Sequence, residues 1–159
     1  MSADVSALEP QAKEILARYD QKQAAMLPLL HLVQEQVGYI PPEGEQWVSE
    51  KTGVAVVHVH EVVTFYTMYR TKAIGRCHLQ VCTNLPCVLR GAESVLAYLK
   101  ERLGIDVGQT TPDGKFTLSS VECLCACEIA PMAQVNDRYV GPLDRAAVDR
   151  LLEEGGHVL

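Results

Sequence analysis

The chain is short of several things, and each shortage excludes a class of protein. Aromatic residues make up 6% of its 159 residues, with one tryptophan and two phenylalanines. Lys and Arg total 14 against 20 Asp and Glu, a formal net charge of −6. That balance argues against nucleic acid, whose phosphates reward concentrated positive charge. No apolar run approaches the roughly 20 residues that cross a bilayer, so no membrane insertion is expected. The opening Met1-Ser2-Ala3-Asp4-Val5 has neither the basic start nor the apolar stretch of a secretory signal. Gly-x-Gly-x-x-Gly is absent, so no dinucleotide site is expected. Cys-x-x-Cys is absent too, which leaves a thioredoxin-type exchange without its pair. There is no internal repeat and no low-complexity tract. The expectation is a cytoplasmic protein whose six cysteines serve as metal ligands or redox groups before they serve as disulfides.

What is present divides in two. The first part reads as helical. Residues 1–9 look frayed, and Pro10 suits a helix start because its missing N–H costs nothing there. Helices are expected over 11–19, 23–37 and 43–51. In the second, Met26, Leu27, Leu30, Val33 and Val37 make an apolar stripe, and Gly38 is a natural stop. Glu43, Glu45, Glu50 and Lys51 read as a solvated face of the third. Val54 to Tyr69 carries strand propensity but also the helical spacing Val56, Val59, Val63, Tyr66. Helix is chosen. Near Thr71–Gly75 the pattern changes to β-α-β-β-α. Arg76–Val81 reads as a strand, Val88–Leu103 as a helix, and Phe116–Glu122 and Met132–Asn136 as strands. Asn136-Asp137-Arg138 turns into Tyr139-Val140, and Leu143–Glu154 closes as a helix. Domains are expected at 1–72 and 73–159.

The chemistry gathers in two cysteine clusters about 35 residues apart, Cys82-Thr83-Asn84-Leu85-Pro86-Cys87 and Cys123-Leu124-Cys125-Ala126-Cys127. Grouped thiolates are soft ligands that suit zinc or iron–sulfur centres. A two-iron cluster needs two pairs of thiolates, one pair per iron. Strand parity separates Cys77, which shares a face with Leu79 and Val81, from Cys82; Cys77 reads as a small buried hydrophobe. Cys123, Cys125 and Cys127 offer three thiols where two are needed, and spacing does not choose among them. Zinc in an all-cysteine site remains the structural alternative, although it usually comes through Cys-x-x-Cys knuckles. His58-Val59-His60 is not a metal pair if helical, because residues two apart do not face each other.

At Cys82-x4-Cys87 and Glu122-Cys123-Leu124-x-Ala126-Cys127-x3-Pro131 the chain resembles the thioredoxin-like 2Fe–2S ferredoxins. More closely it is similar to the small (24-kDa, E) iron–sulfur subunits of the NADH dehydrogenase module of respiratory complex I. Gly38-Tyr39-Ile40, Phe65-Tyr66, Gly91-Ala92-Glu93, Thr111-Pro112-Asp113-Gly114-Lys115-Phe116, Ala130-Pro131-Met132 and Gln134-Val135-Asn136-Asp137 extend the match from about Ile15 to Leu152. The resemblance implies an α/β protein: an N-terminal helical bundle followed by a thioredoxin-like domain. It implies a 2Fe–2S cluster on Cys82, Cys87, Cys123 and Cys127. The activity implied is electron transfer within an NADH:quinone oxidoreductase, on the peripheral arm at the cytoplasmic side of the inner membrane. The cluster would accept one electron from FMN reduced by NADH, both held by a partner flavoprotein subunit, with further iron–sulfur subunits beyond. The same subunit inside a soluble NAD-dependent hydrogenase or formate dehydrogenase is the alternative, and a zinc-stabilised interaction module is a third reading. The backbone amides of Thr83–Leu85 and Leu124–Ala126, Arg90, and the N-terminus of the following helix are candidates for tuning the potential. One departure stands out: the family usually has glycine where this chain has Cys125, which suggests close packing or unusual dihedrals there.

Overall fold

The computed structural model describes residues 5–156. They divide into two compact units with the boundary between Ala73 and Ile74.

The first unit is helical. A 3-10 turn at Ser6–Leu8 leads into α1 (Glu9–Leu16), a second at Lys22–Ala25 into α2 (Met26–Val37). Then come α3 (Pro42–Thr52) and α4 (Val56–Phe65). The expected fraying of 1–9 fails in part: Leu8 is a core residue, and Pro10 lies within the first turn, where proline is tolerated. Residues 1–4 of that reading lie outside the described residues. The stripe on α2 is shifted, with Leu29 fully buried and Leu27 at the surface. Trp47 and Val48 on α3 and Val59 and Val63 on α4 complete the core with Leu30 and Val33. Glu45 is not part of a solvated face. It is buried, and both its oxygens take the His60 Nδ1 at 3.0 Å, which supplies the partner a buried carboxylate needs. Glu9 ties α1 to α3 through Trp47 Nε1 at 3.1 Å and Lys51 Nζ at 2.6 Å.

The second unit is a five-stranded mixed sheet with helices. The strands are β1 (Cys77–Cys82), β2 (Gln109–Thr110), β3 (Phe116–Val121), β4 (Ala133–Val135) and β5 (Arg138–Val140), in spatial order β2-β3-β1-β4-β5. Only β1 and β3 run parallel. Short β2, with two polar residues, carries too little apolar alternation to be read from sequence. The expected helix 88–103 is two helices, α5 (Leu85–Leu89) and α6 (Ala92–Leu103). Gly91 at φ +99° breaks them, a conformation open to glycine and costly to other residues. The last helix, α7 (Arg145–Glu153), starts at Asp144, whose side chain accepts from the Ala147 N–H at 2.7 Å. The parity argument holds: Cys77, Leu79 and Val81 share a core with Val95, Leu99, Leu118 and Val148. Cys82 belongs instead to a small separate cluster with Cys87, Ala92, Ala126, Ala130 and Met132.

Candidate metal centre

The parallel register brings the two cysteine clusters together. Cys82, the last residue of β1, pairs with Val121, the last of β3. Both strands therefore end at the same edge, and Cys123 follows Val121 by two residues. Loops leaving adjacent strand ends are the usual place to mount chemistry on a rigid frame. The Thr83 N–H and hydroxyl both reach the Val121 carbonyl, at 2.9 and 3.0 Å, and clamp the two exits.

The first arm is buried. Asn84 caps α5 by accepting from the Leu85 N–H at 2.9 Å, Pro86 occupies the first turn, and Cys87 follows on the inner face. Leu85 and Leu89, four residues apart, project outward and are 67% and 76% exposed. Burial raises the Cys87 thiol above its ordinary range, as does its contact with Cys82, while a backbone N–H from Met132 lowers it. Charge on Cys127 raises it further, so the first arm lies within electrostatic reach of the second.

The second arm is exposed at Cys123, Cys125 and Cys127. A 3-10 turn over Cys127–Ile129 closes it, with Ala130 N–H donating to the Cys127 carbonyl at 3.2 Å. Cys125 sits at φ +56°, in the left-handed region. That backbone conformation favours glycine, and a side chain there costs about 1–2 kcal/mol. The Cys125 N–H donates to Cys123 Sγ at 3.4 Å, and the two sulfurs are 3.8 Å apart. That contact raises the Cys125 thiol, with smaller contributions from Cys127 and Cys82.

The loop after the second arm is wedged in place by Gly141. A Cβ there would stand 2.2 Å from the Ile129 carbonyl oxygen and 2.9 Å from Met132 Cβ. The Leu143 N–H donates to the Pro131 carbonyl at 2.7 Å, and the Cys82 N–H to that of Met132 at 3.1 Å.

Of the amides expected to face the sulfurs, Cys125's does so. Thr83 N–H is spent on Val121 and Leu85 N–H on Asn84. The Met132 N–H on Cys87 escapes a reading by sequence, because it lies 45 residues away and belongs to another strand end. The helix carrying Cys87 has five residues, and Ala92, the first residue of the longer helix after it, packs in the same small cluster as Cys82 and Cys87. Cys77 is distant in character: burial in the sheet core pushes its thiol up to about 11.

The donor set is all sulfur, which suits a soft metal. Among the described residues no three His, Cys, Asp or Glu are grouped to hold a single ion. A two-iron cluster asks instead for two pairs: Cys82 and Cys87 touch on the first arm, and on the second, which carries Cys123, Cys125 and Cys127, the touching pair is Cys123 and Cys125. These are the features of an iron–sulfur electron carrier built on a mixed sheet.

Comparison with known proteins agrees. Residues 12–155 match the thioredoxin-like [2Fe-2S] ferredoxin family, and the chain belongs to it. Its cofactor is a 2Fe–2S cluster and its fold is thioredoxin-like with an N-terminal helical part. The second NADH-quinone oxidoreductase E subunit of Rhizobium meliloti (strain 1021) is 50% identical over 137 residues, 86% of this chain and 82% of the relative. The corresponding E subunit of Rickettsia conorii (strain ATCC VR-613 / Malish 7) is 39% identical over 90% of this chain and 87% of its own. NADH dehydrogenase [ubiquinone] flavoprotein 2, mitochondrial, of Dictyostelium discoideum is 43% identical over 89% and 59%. Among solved structures, an air-oxidized NAD+-reducing [NiFe]-hydrogenase superposes with a TM-score of 0.74 at 21% identity. It covers 85% of this chain, which spans 23% of the hydrogenase chain, and the likeness is one of fold. None of the helices among the described residues is long and apolar enough to cross a membrane.

Proposed function

We propose that the chain is the electron-transfer subunit of an NADH:quinone oxidoreductase, with Cys82, Cys87, Cys123 and Cys127 as its cluster ligands. The observation that carries this reading is the parallel register that ends β1 and β3 at one edge, where both cysteine arms leave the sheet, in a chain 50% identical to an NADH-quinone oxidoreductase component. Such a cluster, when bound, supplies a site that gains and loses one electron at a time. The chain's own residues hold it. Cys82 and Cys87 anchor the buried side; Cys123 and Cys127 close the exposed side. Backbone N–H groups of Met132 and Cys125 point at sulfur, and donors of this kind favour the reduced, more negative state. Glu122 and Glu128 flank the second arm as exposed carboxylates and oppose that effect.

The partner in this reading is a flavoprotein subunit that holds FMN and NADH, with further iron–sulfur subunits beyond it. The exposed second arm and the apolar pair Leu85 and Leu89 support a docked subunit. The division into a helical domain 1–72 and a cluster domain 73–159 and a place on the cytoplasmic face of the membrane belong to the same proposal.

The test is anaerobic purification from the native host. About two irons and two sulfides per chain are expected, with a reduced-state EPR signal and a co-purifying FMN protein. Stoichiometric zinc in a colourless sample would sink the cluster. Co-purification with a hydrogenase or formate dehydrogenase would move the chain to a soluble complex.

A further inference from the structure

The second arm holds one thiol more than a two-iron cluster requires. The fold does not turn that thiol away. Cys125 Sγ lies 3.8 Å from Cys123 Sγ. Two thiolates on one tetrahedral metal, with bonds of about 2.3 Å, stand ~3.8 Å apart. The Cys123–Cys125 pair therefore already has the spacing of ligands that share a metal. The arm that carries it is exposed and irregular, bounded by a short 3-10 turn and not by a strand or a long helix. A two-residue shift of ligand there disturbs no sheet hydrogen bond. The first arm has no such reserve: the remaining cysteine, Cys77, is locked in the sheet core.

Resting on the four-ligand reading, we propose that Cys125 is a reserve ligand, competent to replace Cys127 beside Cys123 on the same iron. The exchange is a substitution with no change of oxidation state. The metal–sulfur bond to Cys127 breaks and one to Cys125 forms; Cys125 releases its proton as Cys127 takes one up. The chain would then keep its cluster through oxidation or loss of Cys127, the ligand nearest the irregular end of the arm.

The experiment compares full-length Cys125→Gly, Cys127→Ala, Cys127→Ser and the two double variants, purified anaerobically. Glycine is used at 125 because it accepts the left-handed backbone. Iron and sulfide content, EPR g-values and the resonance Raman bands of the iron–thiolate bonds are read, with far-UV circular dichroism as the folding control. Cys127→Ala is expected to keep about half or more of the wild-type iron, with four-thiolate Raman bands and shifted g-values. Cys125→Gly/Cys127→Ala is expected to fall below about a tenth. Cys127→Ser, nearly isosteric, decides the matter if the alanine variant does not fold. Its spectrum must change when Cys125→Gly is added; an unchanged spectrum means serine ligation and overturns the proposal. Loss of the cluster in both Cys127→Ala and Cys127→Ser, with Cys125→Gly intact, also overturns it and leaves the four-ligand reading standing. Loss in Cys125→Gly alone overturns the four-ligand reading itself.

Discussion

The two arms of the cysteine site are built on opposite plans. The first has its thiols buried, its loop capped by Asn84, and its position fixed by the end of β1. The second has three exposed thiols, one of them at a left-handed backbone position, on a loop held by a 3-10 turn. One side of the site is thus part of the core, and its ligands are fixed when the domain folds. The other side is assembled from loop conformation, which tolerates alternatives.

The largest effect should separate the arms outright. Cys87→Ser is expected to reduce iron content to below about a tenth of wild type, since no third thiol stands nearby. Cys125→Gly should leave it unchanged. Equal losses in iron analysis would show that the arms are not different. Next comes the wedge behind the second arm. Gly141→Ala drives a methyl into the Ile129 carbonyl, and overpacking of this kind costs about 2 kcal/mol or more. Urea denaturation should show that loss, and the reduced-state potential should move as Met132 shifts from Cys87. A smaller effect of the opposite sign belongs to Cys125→Gly. Relief of about 1–2 kcal/mol of left-handed strain exceeds the roughly 0.5–1 kcal/mol that glycine adds in unfolded freedom. A gain of up to about 1 kcal/mol in the same denaturation assay is expected.

A last comparison sets the two units side by side in alkali. Burial raises the Cys77 thiol from 9.0 to about 11 and the Tyr69 hydroxyl from 10.0 to about 12, the latter also through Tyr66. In both cases the fold favours the protonated form. Their contributions are complete below the unfolded values and are lost as pH rises, from 9.0 to about 11 for Cys77 and from 10.0 to about 12 for Tyr69. The second unit should therefore begin to weaken about one pH unit before the first. Cys77→Ala should abolish the earlier loss and Tyr69→Phe the later one, read as denaturation midpoints against pH.

Residues with a strong period were legible. The alternation along β1 placed Cys77 in the sheet core and Cys82 outside it, because side chains on a strand leave it on alternate faces. The α2 stop at Gly38 and the turn at Asn136 were legible from turn chemistry. What escaped was set by tertiary context. Gly91 lies inside a run that reads as one helix, and only its positive φ shows the break. Glu45 looks like any surface carboxylate until His60, 15 residues on, covers it. Met132 donates to Cys87 only because β4 lies beside β1. Leu29 needs no such context: it lies three residues after Met26 and four before Val33, on the buried stripe that ordinary helical spacing defines, and Leu27 falls off it.

The parallel pairing of β1 with β3 carries a consequence for how such a protein changes over time. The two ligand loops depend on one register, Cys82 beside Val121, and not on the length of chain between them. The chain from Gly91 to Gly108, including α6, can gain or lose residues at its loops without altering the spacing of the thiols. A single-residue slip between the two strands would instead carry Cys123 ~3.3 Å along the edge and turn its face. Tolerance to insertion and intolerance to slippage therefore coexist in the same stretch of chain. Length variation in this domain should collect at the Gly104–Gly108 turn and spare Thr111–Lys115, where the Gly114 and Lys115 carbonyls accept from the Arg76 and Cys77 N–H groups and bind β1 to β3.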